Sequence, residues 1–138
     1  MSYNDHDDLQ YLIARAQGLP AQSVNGTVNA TGVNLVETGA FVLAVINVGT
    51  VASGGTATVK LQSSKNNNTA DASDAADAYA DITGATVSLT GSDANSIVYI
   101  KCQTRAEKYV RVVAITTDAV LLAVDLEAHP LRIGTVQT

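Results

Sequence analysis

Read for the alternation of hydrophobic and polar positions, the chain divides near residue 24. Before that point Leu9, Leu12, Ile13 and Ala16 recur at i, i+3, i+4 and i+7, which sets them on one stripe of a helix. Asp5 or Asp7 can cap its start, Gly18 is placed to end it, and Pro20 follows. A one-stripe helix of about ten residues is marginal alone. It must pack on its own domain or reach out as an arm to a neighbouring subunit.

Beyond residue 24 the period becomes two. Residues 27–34 form a Thr/Val/Asn strand, and residues 40–48 (AFVLAVINV) form the most apolar one, which places Phe41 in the core. Residues 49–55 are a small-residue turn. Residues 56–63 alternate cleanly, with Ala57, Val59 and Leu61 on one face and Thr58, Lys60 and Gln62 on the other. A polar loop spans 64–78, and Thr83-Gly84 reads as a turn between strands 79–82 and 85–89. Strands at 96–103, 108–116 and 119–127 follow, with Thr117-Asp118 as a tight hairpin signal. Pro130 makes the tail an edge or an arm. Seven or eight short strands without crossover helices predict an all-β fold, an antiparallel β-sandwich or jelly roll. The expected organisation is an arm or short helix over 1–24 and a sandwich domain over 25–138.

Two strands are apolar on both faces. Phe41, Leu43 and Val45 alternate with Val42, Ala44, Ile46 and Val48; Val120, Leu122 and Val124 alternate with Leu121 and Ala123. A two-layer sandwich wets one face of each sheet. The pattern therefore predicts that an arm or a second subunit covers the outer face of these strands.

Composition sharpens this picture. Hydrophobic residues make up 46% but aromatics only 4%, with no Trp, so the core must be aliphatic. Charged residues are only 15%, which fits a surface partly covered by a partner. The net charge of −5 and the lack of a basic run argue against nucleic acid and against an anionic membrane. The single cysteine, Cys102, excludes a disulfide framework; its alternation with Val98 and Ile100 predicts a buried thiol. The first residues carry neither a basic region nor an apolar run, so no secretion signal is expected and synthesis is placed in the cytoplasm.

Little in the chain suggests chemistry. His6 lies among Asp5, Asp7 and Asp8, but consecutive residues rarely converge on one ion. Asp71, Asp74, Asp77 and Asp81 lack the two-residue spacing and the glycine of a calcium loop and read as solvated. Nucleophile elbows and phosphate-binding glycine loops are missing. The expectation is a non-enzymatic protein without cofactor or metal. Tyr79, beside the polar loop, is the candidate platform if the sandwich binds sugar.

Four segments together carry a resemblance: Asn47-Val48-Gly49, residues 56–63 (TATVKLQS), residues 79–85 (YADITGA) and residues 109–114 (YVRVVA). Over about half of its length the chain resembles small β-sandwich proteins of bacteriophage particles, the capsid cement or decoration proteins, with neck and tail proteins as neighbours. It departs from them in a longer Ala/Asp-rich loop and in Tyr79 where a Trp is usual, and residues 1–24 have no counterpart. The resemblance implies a structural protein on the outer surface of the capsid. Its partners would be the major capsid protein and further copies of itself, most simply as a homotrimer. Arms at 1–20 and 128–138 would make the contacts, through Leu9, Tyr11, Leu12, Ile13, Pro130, Leu131 and Ile133.

Overall fold

The computed structural model describes residues 14–34, 40–64, 79–105 and 109–129. Nine strands lie within them: β1 (Ala14–Val24), β2 (Thr27–Asn29), β3 (Val33–Asn34), β4 (Ala40–Val51), β5 (Ala57–Ser64), β6 (Ala80–Leu89), β7 (Ser96–Arg105), β8 (Tyr109–Thr116) and β9 (Val120–His129). One sheet has the order β1-β9-β4-β7, the other β2-β8-β5-β6, with β3 also on β8. The expected antiparallel sandwich is observed.

The pairing defines the type of sandwich. With β2 and β3 taken as one interrupted strand, the first strand pairs with the eighth (β1–β9) and the second with the seventh (β2/β3–β8). The third pairs with the sixth (β4–β7) and the fourth with the fifth (β5–β6). This nesting describes one long antiparallel ribbon. The ribbon is wrapped so that β4 also pairs with β9 and β5 with β8, the arrangement of a jelly roll. At one pole Ala14 is paired with Ala128, so β1 starts beside the end of β9.

The two sheets close on an aliphatic core. Val42, Ala44 and Ile46 from β4 meet Val59 and Leu61 from β5, Val112 and Ala114 from β8, and Val124 and Leu126 from β9, all fully buried. No aromatic side chain lies in this core among the described residues. Valine and isoleucine suit the pleated surface because their branched Cβ is already restricted in χ1. Burying a leucine such as Leu61 contributes about 1.5–3 kcal/mol. At the sheet crossings, Thr116 is buried and fully used: its hydroxyl donates to the Val24 carbonyl at 3.0 Å and accepts from the Gly26 N–H at 2.9 Å. The β4–β5 and β8–β9 connections lie side by side, joined by the Thr56 N–H to the Thr117 hydroxyl and the Thr117 N–H to the Thr56 carbonyl, both at 3.0 Å.

Several sequence expectations are corrected. Residues 14–18, assigned to a helix, begin the eleven-residue strand β1. Two bulges shift its register, so Ala16, Leu19 and Gln22 lie opposite Leu126, Val124 and Leu122 of β9. Gly18 is not a helix stop. A Cβ there would sit 2.8 Å from both Leu126 and Val112, so glycine lets the strand press onto the core. Thr83-Gly84 is not a turn between strands but an irregularity inside β6, where Gly84 has φ +81°. Thr117-Asp118 makes no hairpin, because β8 and β9 belong to different sheets. The turn expected at 49–55 starts later, since β4 runs on to Val51, and the strand expected over 27–34 is broken between β2 and β3.

Gly18→Ala is expected to destabilise the protein by about 1–3 kcal/mol, the usual cost of overpacking a filled core. Gly91→Ala, where an added Cβ meets nothing within 4 Å, should leave stability within about 0.5 kcal/mol. Urea unfolding of the two variants checks the contrast, and equal midpoints would refute it.

Candidate assembly surface

The two outer faces of the sandwich differ in kind. On the β2-β8-β5-β6 sheet, outward positions of β5, β6 and β8 form a polar ladder. The Arg111 guanidinium donates to Gln62 Oε1 at 2.8 Å, and Gln62 Nε2 donates to Asp81 Oδ1 at 2.7 Å. Lys60 Nζ closes the row with a salt bridge to Asp81 at 3.0 Å. The clean alternation of β5 puts Lys60 and Gln62 on this face, and the register sets Gln62 opposite Asp81 on one side and Arg111 on the other. The Gln62 hydrogen bond and then the Lys60 ammonium hold the Asp81 carboxyl below its ordinary value of 3.8. Arg111 also lies over the Tyr79 ring at 4.3 Å from its centroid. One face of the candidate sugar platform is therefore already occupied.

The β1-β9-β4-β7 sheet is the more apolar outside, although the other sheet also exposes Ile115 on β8. Inward residues of β4 alternate with Phe41, Leu43 and Val45, which point out. In register beside them on β7 stand Gln103, Lys101 and Tyr99 respectively, with Ile97 beside Asn47. On β9, Ala123 lies beside Asn47 and Asp125 beside Val45. Leu121 lies over Gly49, whose missing side chain leaves it room: a Cβ there would be 2.7 Å from Leu121. Exposures of 61% for Tyr99, 54% for Ile97, 42% for Leu121 and 37% for Phe41 make this a contiguous apolar surface. Lys101 Nζ leans over the Phe41 ring at 5.7 Å from its centroid. Phe41, expected in the core, is on this outer face. Ile97 and Tyr99 were not nominated from sequence, although the same alternation that buries Val98, Ile100 and Cys102 turns them outward.

A cleft of about 430 Å³ opens between the edge strands β6 and β7, lined by Ile82, Gly84, Lys101, Cys102 and Gln103 among others. Cys102 is buried at its floor as a free thiol, in the orientation expected. Desolvation pushes its pKa up to about 11. Among the interface residues proposed from sequence, Leu9, Tyr11, Leu12, Ile13, Pro130, Leu131 and Ile133 lie outside the described residues, as do Asp71, Asp74 and Asp77. Asp81, the last of that acidic series, belongs to the polar ladder.

No protein-family model and no curated protein sequence matches the chain. Among solved structures, the fold is similar to that of a chain in the structure of infectious bursal disease virus, Gx strain. The TM-score is 0.54 at 10% identity, covering 86% of this chain and 32% of the viral one. The protein thus spans about a third of the length of that chain. At this identity the likeness is one of fold: the jelly roll described above recurs there.

Two outcomes test this description. Because the Asp81 carboxyl is depressed in the folded state, its contribution to stability is present above the ordinary carboxylate range and lost as pH falls through the folded value. Gln62→Leu should raise the Asp81 titration midpoint measured by NMR; an unchanged midpoint would remove Gln62 as the main cause. For Cys102, the thiolate is the reactive species. Alkylation at pH 8 should run more than about a hundredfold slower in the native protein than in urea, given an unperturbed thiol near 8.5.

Proposed function

We propose that the protein is a non-enzymatic structural component of a virus particle, a bacteriophage capsid cement protein that seats on the outer surface of the shell. The observation that carries this reading is the apolar outer face of the β1-β9-β4-β7 sheet. Phe41, Leu43, Val45, Ile97, Tyr99 and Leu121 form it, while the opposite sheet carries a polar ladder and exposes only Ile115 among the large hydrophobic residues described. A contiguous exposed apolar surface rimmed by polar groups marks a place for another protein. Asp125 on β9 and Lys101 on β7 flank the patch and supply charge for orientation. The jelly roll is a scaffold used in viral shells, and the likeness to a chain from a virus structure agrees with it. The sequence resemblance to cement proteins narrows the role to the capsid exterior, with the major capsid protein as partner. Arms at either end of the chain would add contacts, and many weak contacts per shell would sum through multivalency.

Quantitative mass spectrometry of purified particles is expected to find this chain at a sizeable fraction of the copies of the major capsid protein. A handful of copies would place it at the neck or tail instead, and its absence from particles would overturn the virion reading. Val45→Glu sets a charge at the centre of the apolar face beside Asp125. It should keep the fold and lower binding to shells stripped of the protein by more than about tenfold; undiminished binding would move the contact elsewhere.

A further inference from the structure

The sandwich has four sheet edges: β1 and β7 in one sheet, β6 and the β2/β3 pair in the other. An edge is a row of unpaired N–H and C=O groups that templates another strand unless something blocks it. Three of the four are blocked. β1 contains Pro20, which has no N–H to offer, and two register shifts. β2 and β3 are three and two residues long. β6 is broken near Gly84 and turns Asp81, Thr83, Thr86 and Ser88 to water.

β7 is the least interrupted: its one register shift with β4 falls at its end, between Gln103 and Arg105, and Lys101 is the only charge over residues 96–103. It is ten residues long, has neither Pro nor Gly, and keeps an unbroken register with β4 from Gln103 opposite Phe41 to Ser96 opposite Val48. Among the described strands it pairs on one side only. Its outward side chains Ile97 and Tyr99 have the two highest exposures of the large hydrophobic residues described.

We propose that β7 pairs with β7 of a second copy, antiparallel about a twofold axis, and joins two four-stranded sheets into one of eight strands. The self-complementary spacing of Tyr99 and Lys101 about Ile100 favours a second copy as the occupant, and the charges on β7 set its direction. Its charged residues, Lys101 and Arg105, are both basic and both in its C-terminal half. Parallel in-register pairing would stack like charges, whereas antiparallel pairing separates them. A twofold centred on Ile100 overlaps nearly the whole strand. It sets Tyr99 opposite Lys101 of the partner subunit, Ile97 opposite Gln103 of the partner subunit and Val98 opposite Cys102 of the partner subunit. An ammonium then meets an aromatic face twice per dimer. Lys101 Nζ lies 5.7 Å from the Phe41 ring on the β4 side and exchanges that long contact for Tyr99 of the partner subunit across the edge. Sliding the centre to Lys101 would set Lys101 against itself. The interface is isologous, each copy offering the same strand. It is a twofold contact, where the family resemblance implies a threefold one, and it does not depend on association with a particle.

Sedimentation velocity of the full chain across a micromolar concentration series is expected to show a monomer–dimer equilibrium. Tyr99→Lys opposes two lysines across the axis and should weaken dimerisation by more than about tenfold, with an unchanged circular dichroism spectrum. Adding Lys101→Glu to Tyr99→Lys creates two opposite-charge pairs and should restore the dimer. A wild-type chain that stays monomeric to about 100 µM, a concentration that populates even weak dimers, overturns the proposal. So does an oligomer of any order that Tyr99→Lys leaves intact, including a trimer held elsewhere on the chain.

Discussion

The pairing of β4 with β9 is the contact on which the remaining architecture depends. Each nested pair of the ribbon could exist as an extended two-stranded ladder. Only when β4 takes β9 on its free side, from Phe41 opposite His129 to Val51 opposite Val120, does the ribbon close on itself and enclose a core. These partners are far apart in sequence, and the loop between them must be ordered before the contact returns any stabilisation. Its strength comes from facing rows of small and branched side chains: Val42, Ala44, Ile46 and Val48 beside Ala128, Leu126, Val124 and Leu122. The pairs grow from valine with alanine at one end to valine with leucine at the other, and all are filled by aliphatic side chains alone.

A thin aliphatic core leaves little slack, and two glycines show where it is taken up. Gly18 lets β1 lie against Leu126 and Val112, and Gly49 gives Leu121 a place to lie on the outer face of the same sheet. The first serves the interior, the second the exterior. The exterior of this sheet is thus packed around glycine as an interior would be. The other sheet satisfies its outward groups among themselves, through Arg111, Gln62, Asp81 and Lys60, and needs no partner for them.

The sequence was legible where the chain alternates without interruption. In β5 the buried residues Ala57, Val59 and Leu61 and the outward Thr58, Lys60 and Gln62 lie as the pattern placed them. Cys102 took its place beside Ile100 for the same reason. β1 was not legible because its two bulges displace the phase. The helical stripe of Leu9, Leu12, Ile13 and Ala16 reaches β1 only at Ala16, and the shifted phase of Ala16, Leu19 and Gln22 hid the alternation of the strand. Thr117-Asp118 and Thr83-Gly84 failed differently. Such dipeptides show that the backbone bends, but nothing local records whether the next strand joins the same sheet, crosses to the other, or resumes its own course. Phe41 was misplaced because apolar character on both faces of a strand does not say which face meets the opposite sheet; the register with β9 decides it. The candidate surface was half visible: two-faced apolar strands signalled that it existed, while its most exposed members, Ile97 and Tyr99, needed the edge position of β7 to be seen.

The pairing of Ala14 with Ala128 sets the entry and exit of the sandwich side by side. Chain ends that meet in this way are those a fold can exchange for new ones. A short peptide joining residues 14 and 128 would let the protein be reopened at another connection between strands. Any peptide continuous with either end also leaves from the same pole. In a chain trimmed to residues 14–129, a foreign epitope fused at one end and an affinity handle fused at the other would therefore leave the sandwich side by side.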